Sequence, residues 1–344
     1  MTWKRELLIC LLMSIGFGIF VTSASQKMDS RQEHQTESVQ MDRAILRGQS
    51  YTMAGRESYL PPWQNRVLVP AVLELCIHMG VFAPNGWYLI LRFLTSILMF
   101  VAFWYLLRTD AQADLKFAGA GMLILAYSMA MTFVSRFAMS FDFPEVMFTA
   151  IMMVGLLRRK HVFLLAVMIL AAANRESSAF AGVYWFFLYG LDEKWKIKWR
   201  EAVYAALVAI SVYGAALLLR YAFGGSRAVG SNTQFVTLRG NYHVVKSLLE
   251  HPTPFSGVGM TFALLLPTAM WIASNWKFIT YVHKRLMLAA LTSAVVSIFF
   301  GSLTEPRTFI ISFVPMIFVA VSAEINSRKT IDDKVNAQAV ASST

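Results

Sequence analysis

Ala171-Ala172-Ala173-Asn174-Arg175-Glu176-Ser177-Ser178-Ala179-Phe180 sets an amide, a cation and an anion between two apolar runs. An ionisable group at membrane depth is costly unless it is paired or faces a wet cavity, so such a triplet reads first as a functional signal. The competing reading is a short polar turn between two helices that happens to carry charge. Two more polar islands interrupt long apolar runs in the same way: Ser135-Arg136 with Asp142-Phe143-Pro144-Glu145, and Thr304-Glu305-Pro306-Arg307.

Outward from the triplet, the chain is too apolar for a soluble protein. Of its 344 residues 57% are hydrophobic and 15% charged, with a mean hydropathy of +0.53, whereas soluble domains carry about 25% charged residues. The composition reads as an all-α, polytopic integral membrane helical bundle. Cys10 and Cys76 show no CxxC spacing, which supports neither a disulfide framework nor a metal site. The net charge of +11 is accounted for by cytoplasmic loops, and no basic folded face for nucleic acid is read.

Lys4 and Arg5 precede the apolar run 7–24 and keep the N-terminus cytoplasmic. Ser23-Ala24-Ser25 also suits a signal-peptide cleavage site, and either way the chain emerges on the outer face. Residues 25–86 form the first extracytoplasmic loop; within it 67–82, with Pro70 and Glu74, reads as an interfacial or re-entrant helix. Spans then alternate over 87–107, 117–134, 145–157, 162–173, 179–190, 202–223, 258–275, 286–303 and 308–323, with 224–256 as a large outer loop. The expectation is about ten transmembrane helices, N-in and C-in. Residues 1–325 form a single transmembrane domain and 326–344 a cytoplasmic disordered tail. The spans near 145, 162 and 179 are apolar for only about 12 residues against the ~20 that cross a bilayer, which predicts a thinned or water-invaded outer leaflet beside the islands.

Under this topology the inner side carries 10 Lys and 7 Arg, the outer side 2 Lys and 12 Arg. Lysines inside are topogenic; arginines outside suit a bidentate grip on phosphate or carboxylate. The candidate substrate-binding residues are Arg66, Arg92, Arg136, Glu145, Asn174, Arg175, Glu305 and Arg307. Arg66 and Arg92 fall near headgroup depth, where a polyprenyl phosphate presents its anion with its tail in hydrocarbon. Glycosyl transfer from such a lipid needs a base for the acceptor hydroxyl and cations for the departing phosphate. Asp142 and Glu176, with Asp42 and Glu57 in the first outer loop, are the candidate catalytic carboxylates. The alternative is that the arginines pair with Asp142, Glu145, Glu176 and Glu305 to hold the loops. His34, His243 and His251 lack metal-ligand spacing; no metal or cofactor is assigned, and a divalent cation stays open. The expected partners are a lipid-linked sugar phosphate and membrane lipids, with no nucleic acid; the sequence sets no oligomeric state.

Arg66-Val67-Leu68-Val69-Pro70, Asp142-Phe143-Pro144-Glu145, Asn174-Arg175-Glu176 and Glu305-Pro306-Arg307 resemble motifs of bacterial polytopic membrane proteins related to GT-C glycosyltransferases. The resemblance implies a multi-helix fold in a bacterial inner membrane, whose outer loops bind a polyprenyl-phosphate sugar and pass the sugar to a lipid or polysaccharide acceptor. GT-C enzymes usually place a catalytic acid in the first outer loop, often as an acidic pair; here the acids of that loop are scattered. A polysaccharide polymerase or ligase shares this chemistry. A transporter or flippase of a lipid-linked glycan would need polar groups through the full membrane depth, whereas the inner halves of these spans are nearly free of charge.

Overall fold

The computed structural model describes residues 3–28, 32–47, 51–53, 56–58, 66–132, 142–229, 242, 243, 246, 257–300 and 309–343. Nearly all are helical. In chain order the helices are α1 (Trp3–Met28), α2 (Gln32–Arg47), α3 (Leu68–His78), α4 (Pro84–Thr109), α5 (Leu115–Thr132), α6 (Asp142–Leu157) and α7 (His161–Ala172). A 3-10 turn (Glu176–Ala179) leads into α8 (Phe180–Trp185), which closes in a π turn (Phe186–Gly190). There follow α9 (Trp199–Val229), α10 (Gly257–Ser274), α11 (Tyr281–Phe300) and α12 (Ile310–Ser343). Between α2 and α3 lies a small antiparallel hairpin, β1 (Tyr51–Met53) and β2 (Arg56–Ser58). The first loop, read from sequence as a polar connection, therefore carries a helix and a hairpin as well as α3.

Local chemistry sets several boundaries. Pro84 opens α4 where its missing N–H costs nothing, after Ala83 in an extended conformation. Asp114 accepts the Phe117 N–H at 2.9 Å ahead of α5. Asp192 accepts the backbone N–H groups of Lys194 and Lys196 at 2.8 and 2.7 Å, folding the turn between α8 and α9.

Among the described residues, five helices are long and apolar enough to cross a membrane: Trp3–Ala24, Pro84–Thr109, Leu115–Thr132, Trp199–Phe223 and Ile310–Gln338. The protein is a membrane-embedded multi-pass helical bundle. Its centre is the first half of α12, where Ile310, Phe313, Val314, Ile317 and Phe318 are all buried. Apolar residues on every side of that segment are what a fully enclosed helix requires. α12 packs on α11, α6, α10 and α5, while α4 packs chiefly on α6 and α1. α1 is a member of the bundle: Val21 and Cys10 are buried, and Gly18 lies against Ser96 of α4.

Contacts at the helix ends show successive spans running antiparallel. At one end the start of α1 meets the end of α4 through Glu6 and Arg108. At the same end Arg158, past α6, holds Asp110 at 3.0 Å, and Arg285 of α11 donates to the Leu188 and Leu191 carbonyls closing α8 at 3.0 and 2.8 Å. Asn326 of α12 reaches the Phe278 carbonyl past α10 at 3.2 Å. At the other end the start of α3 is tied to the end of α7 by Leu68 N–H to the Ala173 carbonyl at 2.9 Å.

Residues 326–343, expected as a disordered tail, continue α12 as helix. Lys329 bonds Gln112 at 3.3 Å, so part of this segment is braced on the turn between α4 and α5. α7 has 12 residues and α8 with its π turn 6 and 5; at about 1.5 Å per residue, neither spans the ~30 Å of an ordinary hydrocarbon core.

α8 and α9 approach through Gly182, where an added Cβ would lie 2.4 Å from the Ala205 carbonyl oxygen and 2.8 Å from the Ala209 Cβ. Gly182→Ala is expected to force these helices apart and to cost about 1–3 kcal/mol. Thermal melting in detergent checks it, with Gly16→Ala, whose Cβ meets nothing within 4 Å, as reference. Equal melting of the two variants would refute the close approach.

Candidate functional site

The triplet 174–176 lies where α7 ends. Ala173, Asn174 and Arg175 N–H groups fold back on the Leu170 and Ala171 carbonyls at 3.1, 2.9 and 2.8 Å, after which Arg175 is extended and the 3-10 turn begins. The break in helix sends consecutive side chains to different neighbours. Arg175 enters the bundle toward α6, and Glu176 turns to the chain ahead of α3 and to α9.

The first turn of α6 supplies the inner partners. Asp142 and Glu145 are three residues apart, so they share a face, and carboxylates at a helix N-terminus are favoured by its dipole. Arg175 Nη1 bonds Glu145 Oε2 and lies 3.5 Å from Asp142 Oδ1. Ser177 donates to the other Glu145 oxygen at 2.6 Å. All four side chains are buried or half-buried, and Asn174 beside them is buried. Buried charge of this kind is tolerated only when paired and hydrogen-bonded, as here.

The outer half is a second cluster. Arg66 Nη2 and Arg220 Nη2 approach the same oxygen, Glu176 Oε1, at 3.2 and 3.3 Å. The Glu176 side chain keeps 28% of its surface exposed, whereas Glu145 keeps 5%. Partial burial pushes the Glu176 carboxyl up, but the Arg66 and Arg220 guanidiniums outweigh it and hold it at about 2. Two guanidiniums on one carboxylate leave these three side chains net positive, one layer out from an inner trio with two carboxylates and one guanidinium.

The residues expected in the site divide as follows. Asp142, Glu145, Asn174, Arg175, Glu176 and Arg66 come together at one end of the bundle. Arg92 is 2% exposed, with Tyr88 Oη at 3.4 Å and the Phe143 ring at 6.0 Å. It therefore lies behind Asp142, under the packing of α4 on α6, and not at the lipid surface. Asp42 is buried on α2, whose apolar face packs with Val67, Val69 and Leu219; a helix in the first loop covers a carboxylate expected to be solvated. Glu57 pairs through its backbone with Thr52 in the hairpin. Arg136, Glu305 and Arg307 lie outside the described residues, and with them the third island.

Two site residues were not singled out by the sequence. Ser177 reads there as ordinary turn chemistry, and Arg220 as one of many outer arginines; only the packing of α9 on the 176–179 turn brings Arg220 to Glu176. Among the described residues no group of three His, Cys, Asp or Glu side chains is arranged to hold a metal ion.

α3 bears on the same end. Its inner face, Val69, Leu73 and Cys76, is buried, while Val72 and Leu75, then Met79, Val81 and Phe82, present apolar surface outward. Comparison with protein-family models, with curated proteins and with solved structures gives no match to this chain.

Proposed function

We propose that the protein is a membrane glycosyltransferase of the GT-C kind, transferring a sugar from a polyprenyl-phosphate donor to a lipid or polysaccharide acceptor. The observation that carries this reading is the outer cluster: two guanidiniums converge on one part-exposed carboxylate oxygen. It stands beside α3, whose outward apolar face suits the isoprenoid tail. The opposite end holds Arg108, Arg158, Lys277 and Lys329, which by the positive-inside rule favours an outward-facing cluster. With the apolar segments in alternating direction, this favours about ten spans with both termini inside.

In this reading the donor phosphate takes Arg66 and Arg220 away from Glu176. Relieved of its cations, the Glu176 carboxylate becomes the stronger base and accepts the acceptor's hydroxyl proton. The hydroxyl oxygen bonds the anomeric carbon and the bond from that carbon to the phosphate oxygen breaks. The polyprenyl phosphate leaves with its added charge on the two guanidiniums. Asp142, Glu145 and Arg175 are positioning residues that fix the turn carrying Glu176. A polymerase or ligase would use the same atoms. A purely structural ion-pair network is favoured for the inner trio, because Arg175 is engaged by two carboxylates.

Glu176→Gln separates binding from turnover. Without the competing carboxylate, undecaprenyl phosphate is expected to bind about tenfold more tightly, while transfer from polyprenyl-phosphate sugars falls about 10²–10⁴-fold. Both are read in nanodiscs, by native mass spectrometry and by release of polyprenyl phosphate. Undiminished transfer by a folded Glu176→Gln protein would remove Glu176 as the base.

A further inference from the structure

The opposite end of the bundle holds a cavity of about 400 Å³ remote from the triplet. Its walls are the 3-10 turn Trp276–Phe278 that joins α10 to α11 and the middle of α12. Lys277, Thr280, Asn326, Lys329, Thr330 and Asp333 line it. The walls are tied together by the Asn326 amide on the Phe278 carbonyl at 3.2 Å, and each wall carries one of the two lysines.

Neither Lys277 nor Lys329 has a carboxylate within ion-pair distance among the described residues. Lys329 spends one of its three donors on the neutral Gln112 amide at 3.3 Å, and Thr280 caps the first turn of α11 at His283 N–H. Both lysines are exposed, so the opening carries two cations against the single carboxylate of Asp333 and favours an anion. Trp276 and Tyr281 stand exposed at its edge, with Lys284 6.0 Å from the Trp276 ring. Aromatic side chains of this kind, where apolar helices end, mark headgroup depth. The cavity therefore lies where a lipid phosphate would lie. Asp333 on the wall adds one negative charge, which disfavours a headgroup with a second phosphate and accepts a hydrogen bond from a headgroup hydroxyl.

We propose that this cavity binds the phosphodiester of a membrane lipid with a hydroxylated headgroup, Lys277 and Lys329 holding the phosphate and Asp333 the hydroxyls. The site is independent of the transfer reaction. It gives the helical extension of α12 a role, since Lys329 and Asp333 reach the cavity only because α12 continues as helix past Ile325.

The test is native mass spectrometry of the full chain in detergent, titrated with phosphatidylglycerol and, separately, phosphatidylcholine. Wild type is expected to retain phosphatidylglycerol in preference to phosphatidylcholine. Lys277→Gln/Lys329→Gln is expected to lose about thirtyfold in phosphatidylglycerol affinity, from roughly 1 kcal/mol per lysine near a lipid surface. Lys194→Gln/Lys196→Gln, which removes the same charge from exposed residues at the same end, is expected to change nothing. Equal losses in both double variants would show only general surface attraction and overturn the site, as would full binding by Lys277→Gln/Lys329→Gln. Displacement of the lipid by millimolar inorganic phosphate would identify a soluble phosphate ligand and overturn the lipid assignment. Lys277→Arg/Lys329→Arg, which keeps both charges, should bind as wild type, so loss of binding through misfolding is distinguishable.

Discussion

Arg175→Met is expected to destabilise the fold by about 3–5 kcal/mol, the largest stability effect of any single substitution in the site. Arg175 is buried between Glu145 and Asp142, and its removal strands two carboxylates in a medium that solvates them poorly. Ser177 alone cannot replace a full charge. Adding Glu145→Leu and Asp142→Asn to Arg175→Met should restore much of the loss, because neither carboxylate is then left buried without Arg175. Arg175→Lys should fall between, keeping the charge but losing the planar fork that reaches both acids. Folded yield and melting temperature in detergent measure all three. If Arg175→Met melts with wild type, the inner trio contributes nothing to stability and its burial needs another explanation.

A large effect on activity is also expected from Arg66→Lys/Arg220→Lys. Both guanidiniums converge on Glu176 Oε1, and in the proposed reaction both pass to the departing phosphate. Loss of one preorganised donor to a developing anion costs about 10²–10³ in rate, so the double variant should transfer sugar at least that much more slowly. It should stay folded, because both charges are kept and the Glu176 side chain is part-exposed to water. Binding of undecaprenyl phosphate, read separately, should weaken in parallel. A folded double variant with wild-type transfer would assign Arg66 and Arg220 to bracing the 176–179 turn alone.

These two expectations rest on different parts of the chain's legibility. That Arg175 and Glu176 need partners was readable from their cost among apolar neighbours. Which of them stays part-exposed was not. A sequence shows both as charges at one depth, whereas the break between α7 and the 3-10 turn sends Arg175 inward and Glu176 outward. Arg92 shows the same limit: its position a few residues into a span suggests a headgroup contact, and only the packing of α4 on α6 reveals that it is enclosed. Asp42 looks solvated in a polar loop, yet it is buried once α2 packs on α3 and α9. The tail after Ile325 is polar enough to read as disordered, yet its contact with the α4–α5 turn is a tertiary feature with no local signature.

By itself the sequence determined that the chain is a helical, multi-pass membrane protein, where its apolar segments lie and at which breaks its charges gather. Hydrocarbon imposes those rules locally, through the length and apolarity of each segment and the internal hydrogen bonding a backbone needs there. Tertiary structure decided which charge meets which: Arg175 with Glu145 across 30 residues and Arg66 with Glu176 across 110. Partners that far apart in the chain are fixed only by how α3, α6, α7 and α9 pack. Burial then decides the rest, since the same carboxylate is a paired structural ion when enclosed and a candidate base when one edge stays open to water.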